Sequence, residues 1–190
     1  KIDKIKNNLP ELPDEKFDRF LKSYNIKKQD IEKIISDINL ADYFESIAEL
    51  THLHQESANW ILMDLLAYIN RKNIGINNFP IDKSRVANLI VLHSKKKLTN
   101  INAKKIFSIM FSDSRNPEKI MEEEELMMIN DDNSLEALIK NIFSKYDNEF
   151  NRLKNGENKL IGFFMGEIMK ETKGAANPKI VQELINKMSG

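Results

Sequence analysis

Apolar residues recur at helical spacing along nearly the whole chain, and this periodicity restricts the possible fold more than any other feature. Phe17, Phe20, Leu21 and Tyr24 mark one face of a predicted helix, and residues 55–72 form a longer one of about 27 Å. Only 6 Gly and 5 Pro interrupt the 190 residues. No useful stretch alternates with the two-residue period of a strand. The sequence therefore predicts an all-α, multihelical fold of roughly ten helices.

Two all-α subdomains are expected, the second a small bundle of about three or four helices. We place a helical linker at 1–39, a first helical subdomain at 40–112 and the bundle at 113–190. Residues 122–129 show no clear helical period, and we interpret them as a boundary segment that an extended conformation would also fit. Asn100 or Asn102 is the predicted N-cap of a helix before this segment, and Ser134 is the predicted N-cap of a helix after it.

The charges are balanced in number but unevenly distributed. Lys and Arg total 29, as do Asp and Glu, so the net charge is zero. Residues 83–105 hold seven bases and no acid, whereas residues 113–136 hold nine acids and two bases. Such segregation can direct a phosphate backbone toward one face of a protein. Because the bases are mostly Lys, we expect any nucleic-acid contacts to be with phosphate, so that shape is recognised more than base sequence.

The sequence shows no recognisable catalytic or metal site, and no apolar run approaches the ~20 residues that span a bilayer. The absence of Cys excludes disulfides and thiolate ligands. His52 and His54 are two positions apart, hence on different faces of a helix, and His93 falls on an apolar stripe. The glutamates at 122–125 lack the alternating oxygen ligands and the Gly of a calcium loop. We therefore expect neither a catalytic residue nor a bound metal.

The most distinctive stretch of the sequence runs from 162 to 178. Gly162 and Gly166 lie four positions apart on one helix face, and we expect another helix to pack closely against them. Lys170 and Lys173 fall at the end of that helix, where the helix dipole favours cations. Asn177 then precedes a Pro that opens the next helix. Capping is the plain interpretation of Asn177, and phosphate binding at the free N–H groups is the alternative.

This stretch resembles the YqeY-like tail found in the B subunit of the tRNA-dependent amidotransferases, whose pattern in outline reads G-x-x-x-G-x-x-M-K-x-x-x-G-x-A-N-P-x-x-V-x-x-L-L. The chain matches the pattern at Gly162, Gly166, Met169, Lys170, Gly174, Ala176, Asn177, Pro178, Val181 and Leu184. Further segments resemble the family in the same order, at 9–13, 40–45, 58–60, 103–104 and 116–118. Two places depart from it. Ala175 stands where the family commonly has a base, and residues 99–101 replace a Ser-Gly-Lys stretch.

The resemblance implies a non-catalytic, tRNA-binding C-terminal part of the B subunit, and the lack of an initial Met fits a fragment of a longer protein. The family's complex converts Glu-tRNA(Gln) and Asp-tRNA(Asn) to Gln-tRNA(Gln) and Asn-tRNA(Asn) with ATP and glutamine. ATP and Mg²⁺ are implied only for the preceding catalytic part, and no cofactor is implied for this chain. The implied partners are the outer body of tRNA, the amidase (A) subunit and the small (C) subunit, with no membrane. The implied location is the bacterial cytoplasm, or an organelle matrix in a eukaryote.

The candidate tRNA contacts are lysines of the basic stretch 83–105 and lysines where the last two predicted helices meet, together with the residue that precedes the last helix. They are Lys95, Lys96, Lys97, Lys104, Lys105, Lys170, Lys173, Asn177 and Lys179. Taken alone, a Lys-rich run such as 95–97 is more typical of a solvated helix face, and phosphate binding is the alternative interpretation. A helical brace that docks other subunits without touching tRNA is the alternative function, and an autonomous enzyme is the weakest hypothesis.

Overall fold

The computed structural model describes residues 11–190 and confirms the predicted all-α class. Within that range the only β-type pairing is one parallel bridge between Ile129 and Ala176. Residues 9 and 10 of the family-like segment 9–13 lie outside the described part. In chain order, the α-helices are α1 (Pro13–Ser23), α2 (Lys28–Ile35), α3 (Ile38–Thr51), α4 (His54–Trp60), α5 (Leu66–Lys72), α6 (Lys83–Ser94), α7 (Asn100–Ile109), α8 (Pro117–Glu123), α9 (Asp132–Lys145), α10 (Asp147–Lys154), α11 (Leu160–Glu171) and α12 (Pro178–Ser189).

The contacts of the chain divide it into two compact units, Lys1–Val91 and Leu92–Gly190. This division differs from the predicted boundary near 112. The reason is that residues after α6 are hydrogen-bonded within the second unit; for example, the Met128 N–H donates to the Lys97 carbonyl at 2.8 Å. Residues 92–112 therefore pack with the C-terminal bundle.

The first unit contains an aromatic contact between α1 and α3. Phe20 and Phe44 are fully buried, and their ring centroids lie 5.8 Å apart. Tyr24 meets Phe44 edge-on at 5.2 Å and donates its hydroxyl to the Glu45 carboxylate at 2.9 Å. Arg19 pairs with the same carboxylate. Phe20 is thus the member of the predicted apolar face of α1 that enters the core, and Tyr24 packs against it at a centroid distance of 5.1 Å from a partly exposed position.

The long helix predicted at 55–72 is present, but it is interrupted by a π-helical turn at Ile61–Leu65 that joins α4 to α5. A π-helical turn adds one residue to the helix and so rotates the apolar stripe relative to an ideal period. Ile61 and Leu65 remain buried across the turn, whereas Met63 is 67% exposed. Periodicity alone does not reveal such a turn, because the buried positions still recur every three or four residues.

The core of the second unit lies where α9, α10, α11 and α12 meet, which confirms the predicted small bundle. Phe164 of α11 is fully buried and meets Phe143 of α9 edge-on at a centroid distance of 4.8 Å. Phe143 in turn stacks on Phe150 of α10 at 4.0 Å. Ile168 and Val181 bring α11 and α12 into the same cluster. This apolar cluster fixes α11 and α12, which carry the candidate residues Lys170 and Lys179.

The predicted caps of α7 and α9 are wrong by a few positions. The Thr99 hydroxyl accepts the Asn102 N–H at 3.1 Å, so Thr99 caps α7 in place of Asn100 or Asn102. The Asp131 carboxylate accepts the Ser134 N–H at 2.8 Å and caps α9. In both cases the N-cap is a residue that precedes the predicted one in sequence and accepts a first-turn N–H with its side-chain oxygen. Neighbouring residues of similar capping strength cannot be ranked from sequence.

Candidate nucleic-acid interface

An extended segment, residues 126–130, connects two lysine-bearing parts of the second unit; we call it the strap. On one side, the Met128 N–H donates to the Lys97 carbonyl at 2.8 Å. On the other, the Ile129 N–H donates to the Ala175 carbonyl at 2.8 Å, and the Ile129 carbonyl accepts the Asn177 N–H at 3.0 Å. The strap therefore holds the 95–97 loop and the 173–177 turn beside each other, although they lie far apart in sequence.

A second set of hydrogen bonds joins the same parts directly. The Thr99 hydroxyl donates to the Gly174 carbonyl at 2.7 Å while it accepts the Asn102 N–H. The Asn102 side-chain amide donates to the Leu126 carbonyl at 3.0 Å, at the start of the strap. Thr99 and Asn102 are both buried. These contacts tie the start of α7, the strap and the end of α11 into one junction.

The 95–97 loop carries three exposed lysines between two buried leucines. Leu92 and Leu98 anchor its ends. Lys96 has a φ of 58°, and this left-handed residue turns the chain sharply after α6. The Lys97 ammonium lies 3.4 Å from the Glu118 carboxylate, with both side chains about half exposed. Such an exposed pair is worth little in free energy, so it leaves Lys97 available for exchange with a phosphate.

Lys104 and Lys105 follow on α7 and are both exposed. Their neighbours Ala103 and Ile106 are fully buried, which directs the intervening positions toward solvent. Consecutive helical positions are about 100° apart, so the two lysines point in different directions. They belong to the same unit as the 95–97 loop, and α7 starts at the Thr99 junction.

Lys170 and Lys173 lie at the C-terminal end of α11, as predicted. Lys170 is in the last turn, and Lys173 follows with a left-handed φ of 51°. The Gly174 N–H donates to the Met169 carbonyl at 2.7 Å and closes the helix end. Both lysines are exposed. The negative end of the helix dipole favours cations here, and their exposure leaves them accessible to an anion.

Both the oxygen and the nitrogen of the Asn177 side-chain amide form hydrogen bonds within the protein. Its carbonyl oxygen accepts the Lys179 N–H at 3.1 Å, and its amide donates to Asn130 at 2.8 Å. This arrangement confirms the capping role considered from sequence. A tRNA contact by Asn177 stays a prediction, and Lys179, exposed in the first turn of α12, is the better placed of the two.

The expectation that a helix packs closely on Gly162 and Gly166 is wrong for the described part of the chain. Both glycines are exposed on α11, and a β-carbon at either position would meet no atom within 4 Å. The buried face of α11 is formed instead by Phe164 and Ile168. Their four-residue spacing correctly predicts that the two glycines share one face of α11. That face is exposed to solvent and does not pack against another described helix.

The acidic region around α8 is organised by a single guanidinium. Arg115 pairs with Asp113, Glu123 and Glu124, the last at 3.4 Å. Hydrogen bonds to the Asp113 and Glu123 carboxylates raise the pKa of Arg115 above its ordinary value. Arg115 thus pairs with two of the four glutamates at 122–125. None of the residues in this network is a candidate tRNA contact.

Residues 11–190 contain no cluster of three or more His, Cys, Asp or Glu side chains that would hold a metal ion. His54 packs edge-on against Tyr24 at 5.1 Å, and His52 ends α3 in a left-handed conformation. In the same residues no helix is both long and apolar enough to cross a membrane.

Comparison with known proteins gives one family and many relatives. The family model described as the GatB domain matches residues 42–188. The B subunit of the aspartyl/glutamyl-tRNA(Asn/Gln) amidotransferase from Thermodesulfovibrio yellowstonii is 40% identical over 98% of this chain and 39% of its own length. Those from Finegoldia magna and Rickettsia rickettsii are 35% and 36% identical, each over 97% of this chain and 39% and 38% of their own lengths. The chain thus spans about two fifths of the relatives it matches.

Proposed function

Because this chain belongs to the GatB domain family, we propose that it is the tRNA-binding, non-catalytic C-terminal part of the B subunit in a tRNA-dependent amidotransferase. The observation that carries the proposal is the strap, which holds the 95–97 loop and the 173–177 turn together. Cations from separate parts of the chain thereby lie in one unit, where a folded RNA can meet several of them at once.

The chemistry of these side chains suits a phosphate backbone. Lys95, Lys96 and Lys173 are exposed on the second unit. An ammonium on a flexible stem is a point charge that contacts phosphate without reading base edges. The proposed surface therefore recognises the shape of the tRNA body, and the anticodon or acceptor sequence is read elsewhere.

The proposed role explains how a part without reactive groups contributes to the reaction. Holding the tRNA body restricts the orientation of the charged 3′ end before the chemical step, which lowers the entropic cost of bringing the reactants together. In this proposal ATP, Mg²⁺ and the conversion of mischarged Glu-tRNA(Gln) or Asp-tRNA(Asn) belong to the preceding catalytic part and to the amidase partner.

A charge reversal at the end of α11 tests the proposal. Lys170→Glu with Lys173→Glu is expected to weaken tRNA binding strongly without changing the helical circular-dichroism spectrum. Lys22→Glu with Lys72→Glu is the matched control, since both lysines are exposed in the last turn of a helix, as Lys170 is, and neither is a candidate contact. Equal affinities of the two double variants would refute the tail as a tRNA surface.

A protein-docking brace is the second candidate, and one feature of the first unit favours it. A groove of about 680 Å³ runs beside the π-helical turn, with Leu62, Met63 and Leu66 in its lining. Met63 is 67% exposed there, and adaptable Met side chains are common at docking surfaces. A brace would show no salt-dependent affinity for tRNA, whereas Met63→Lys would weaken its association with the other proteins of the complex.

A further inference from the structure

Lysines on separate segments act as one surface only when their spacing is fixed. In the second unit, the 95–97 loop is far in sequence from residues 173–179, which form a turn and the start of α12. Along the chain the two segments are joined only through residues 98–172. Their relative position depends on the strap and on the junction at the start of α7. The side chains within that junction are therefore the ones that can control the spacing.

Asn102 occupies the centre of this junction. It is fully buried, and its amide nitrogen donates to the Leu126 carbonyl at 3.0 Å, where the strap begins. Its amide oxygen has no hydrogen-bond partner among the described residues and lies 3.0 Å from the point that a β-carbon of Gly174 would occupy. A buried, half-satisfied amide is unfavourable for packing alone. An apolar residue of the same size would fill this position but could not donate the hydrogen bond to the Leu126 carbonyl. That hydrogen bond, which holds the start of the strap, is what the Asn102 amide contributes.

Thr99 completes the same junction from the other side. One hydroxyl both donates to the Gly174 carbonyl and accepts the Asn102 N–H, so it fastens the end of α11 to the first turn of α7. Thr99 is only 4% exposed, so solvent has little access to these bonds. Lys97 is two positions before it, and Lys173 is one position before its partner Gly174.

We infer that Asn102 and Thr99 are positioning residues, which touch no RNA and set the spacing between the 95–97 lysines and the lysines at 173 and 179. This inference rests on the proposed tRNA-binding function. Without the Asn102 and Thr99 bonds the second unit keeps its apolar bundle core, because the cluster of Phe164, Ile168 and Val181 includes neither Asn102 nor Thr99. Ile129 of the strap packs against that cluster, so the part of the strap that is released is its start at Leu126, next to α7 and the 95–97 loop. The two lysine groups would then move relative to each other and engage a rigid RNA less often at the same time.

The chain contains no Cys, which allows the spacing to be measured directly in the full chain. Spin labels attached at Lys96→Cys and Lys179→Cys are expected to give a narrow distance distribution in the parent. Adding Asn102→Ala or Thr99→Val should broaden it, whereas Thr99→Ser, which keeps the hydroxyl, should leave it narrow. A distribution that stays narrow in both Asn102→Ala and Thr99→Val would overturn the inference.

Binding to tRNA by unlabelled protein gives the second readout. Asn102→Ala and Thr99→Val should reduce the magnitude of the log–log salt slope by about one phosphate or more, with Thr99→Ser unchanged. A purely structural role would lower the unfolding midpoint and leave the slope of the folded protein intact, and that result would contradict the inference. If the parent itself does not bind tRNA, the proposed function fails, and the labelled distances still decide whether Asn102 and Thr99 set the spacing.

Discussion

Gly174 lies so close to Ile101 that a β-carbon on the glycine would sit 2.9 Å from the Ile101 Cγ2 atom. The glycine also has a left-handed φ of 79°. Two independent restrictions therefore act on this position: the backbone conformation disfavours a side chain, and the neighbouring α7 leaves no room for one. The glycine of the family-like tail pattern is thus explained by packing within the second unit.

We predict that Gly174→Ala destabilises the protein by about 3 kcal/mol, from left-handed strain together with overpacking against Ile101. Gly156→Ala is the matched control, because Gly156 also has a positive φ, of 95°, but open space around its α-carbon. The control should lose only about 1 kcal/mol. Urea unfolding followed by circular dichroism measures both, and equal losses would show that the contact with α7 is unimportant.

Gly166→Ala should stabilise the protein by up to about 1 kcal/mol, since the glycine is exposed within α11 and alanine has the higher helix propensity. Gly162→Ala should act in the same direction. The free energy of unfolding from denaturant titration is the measurement. A clear loss of stability would indicate that something packs on this face after all, as the spacing of the glycines predicts.

The stability of the first unit should depend on pH through Glu45. Partial burial raises the pKa of Glu45, but hydrogen bonds from Arg19 and Tyr24 outweigh this effect, so the pKa lies below its ordinary value of 4.5. A lowered carboxyl pKa adds stability that is complete above 4.5 and is lost as the pH falls through the folded-state value. Glu45→Gln should therefore be less stable than the parent near pH 7, and the difference in the free energy of unfolding should shrink as the pH falls below 4.5. A pH-independent gap would contradict this assignment.

Lys104→Glu with Lys105→Glu should weaken tRNA binding and leave the fold intact, because both side chains are exposed on α7. Neutralising the pair with Gln in place of Glu should reduce the magnitude of the salt slope by up to about 2, one for each lysine–phosphate interaction removed. Fluorescence anisotropy of labelled tRNA at several salt concentrations measures both. An unchanged slope in the neutral variant would place α7 outside the surface.

The sequence predicts the helices well because each buries a periodic apolar face, and that pattern is local. Phe20 in the first unit, for example, lies in the core as its spacing predicts. The π-helical turn at Ile61–Leu65 is less visible, because one added residue leaves buried positions at nearly the same intervals.

The candidate surface is only partly predictable from sequence. The lysines stand out as charge runs, but Thr99 and Asn102 do not, because their roles depend on Gly174 and on the strap, which are distant in sequence. The four-residue spacing of the glycines identifies a helix face correctly and does not say which side faces solvent. Long-range hydrogen bonds and the orientation of a helix about its axis are properties of the packed unit, and a local pattern does not contain them.

The salt dependence of tRNA binding by the 190-residue chain tests the central claim most directly. If lysines from the 95–97 loop and the 173–179 region engage about four phosphates together, log Kobs should fall with log salt at a slope of about −3 to −4. Lys96→Gln with Lys173→Gln should reduce its magnitude by about 2. A parent slope near zero, or a variant slope equal to that of the parent, would contradict the account that these lysines form one RNA-binding surface.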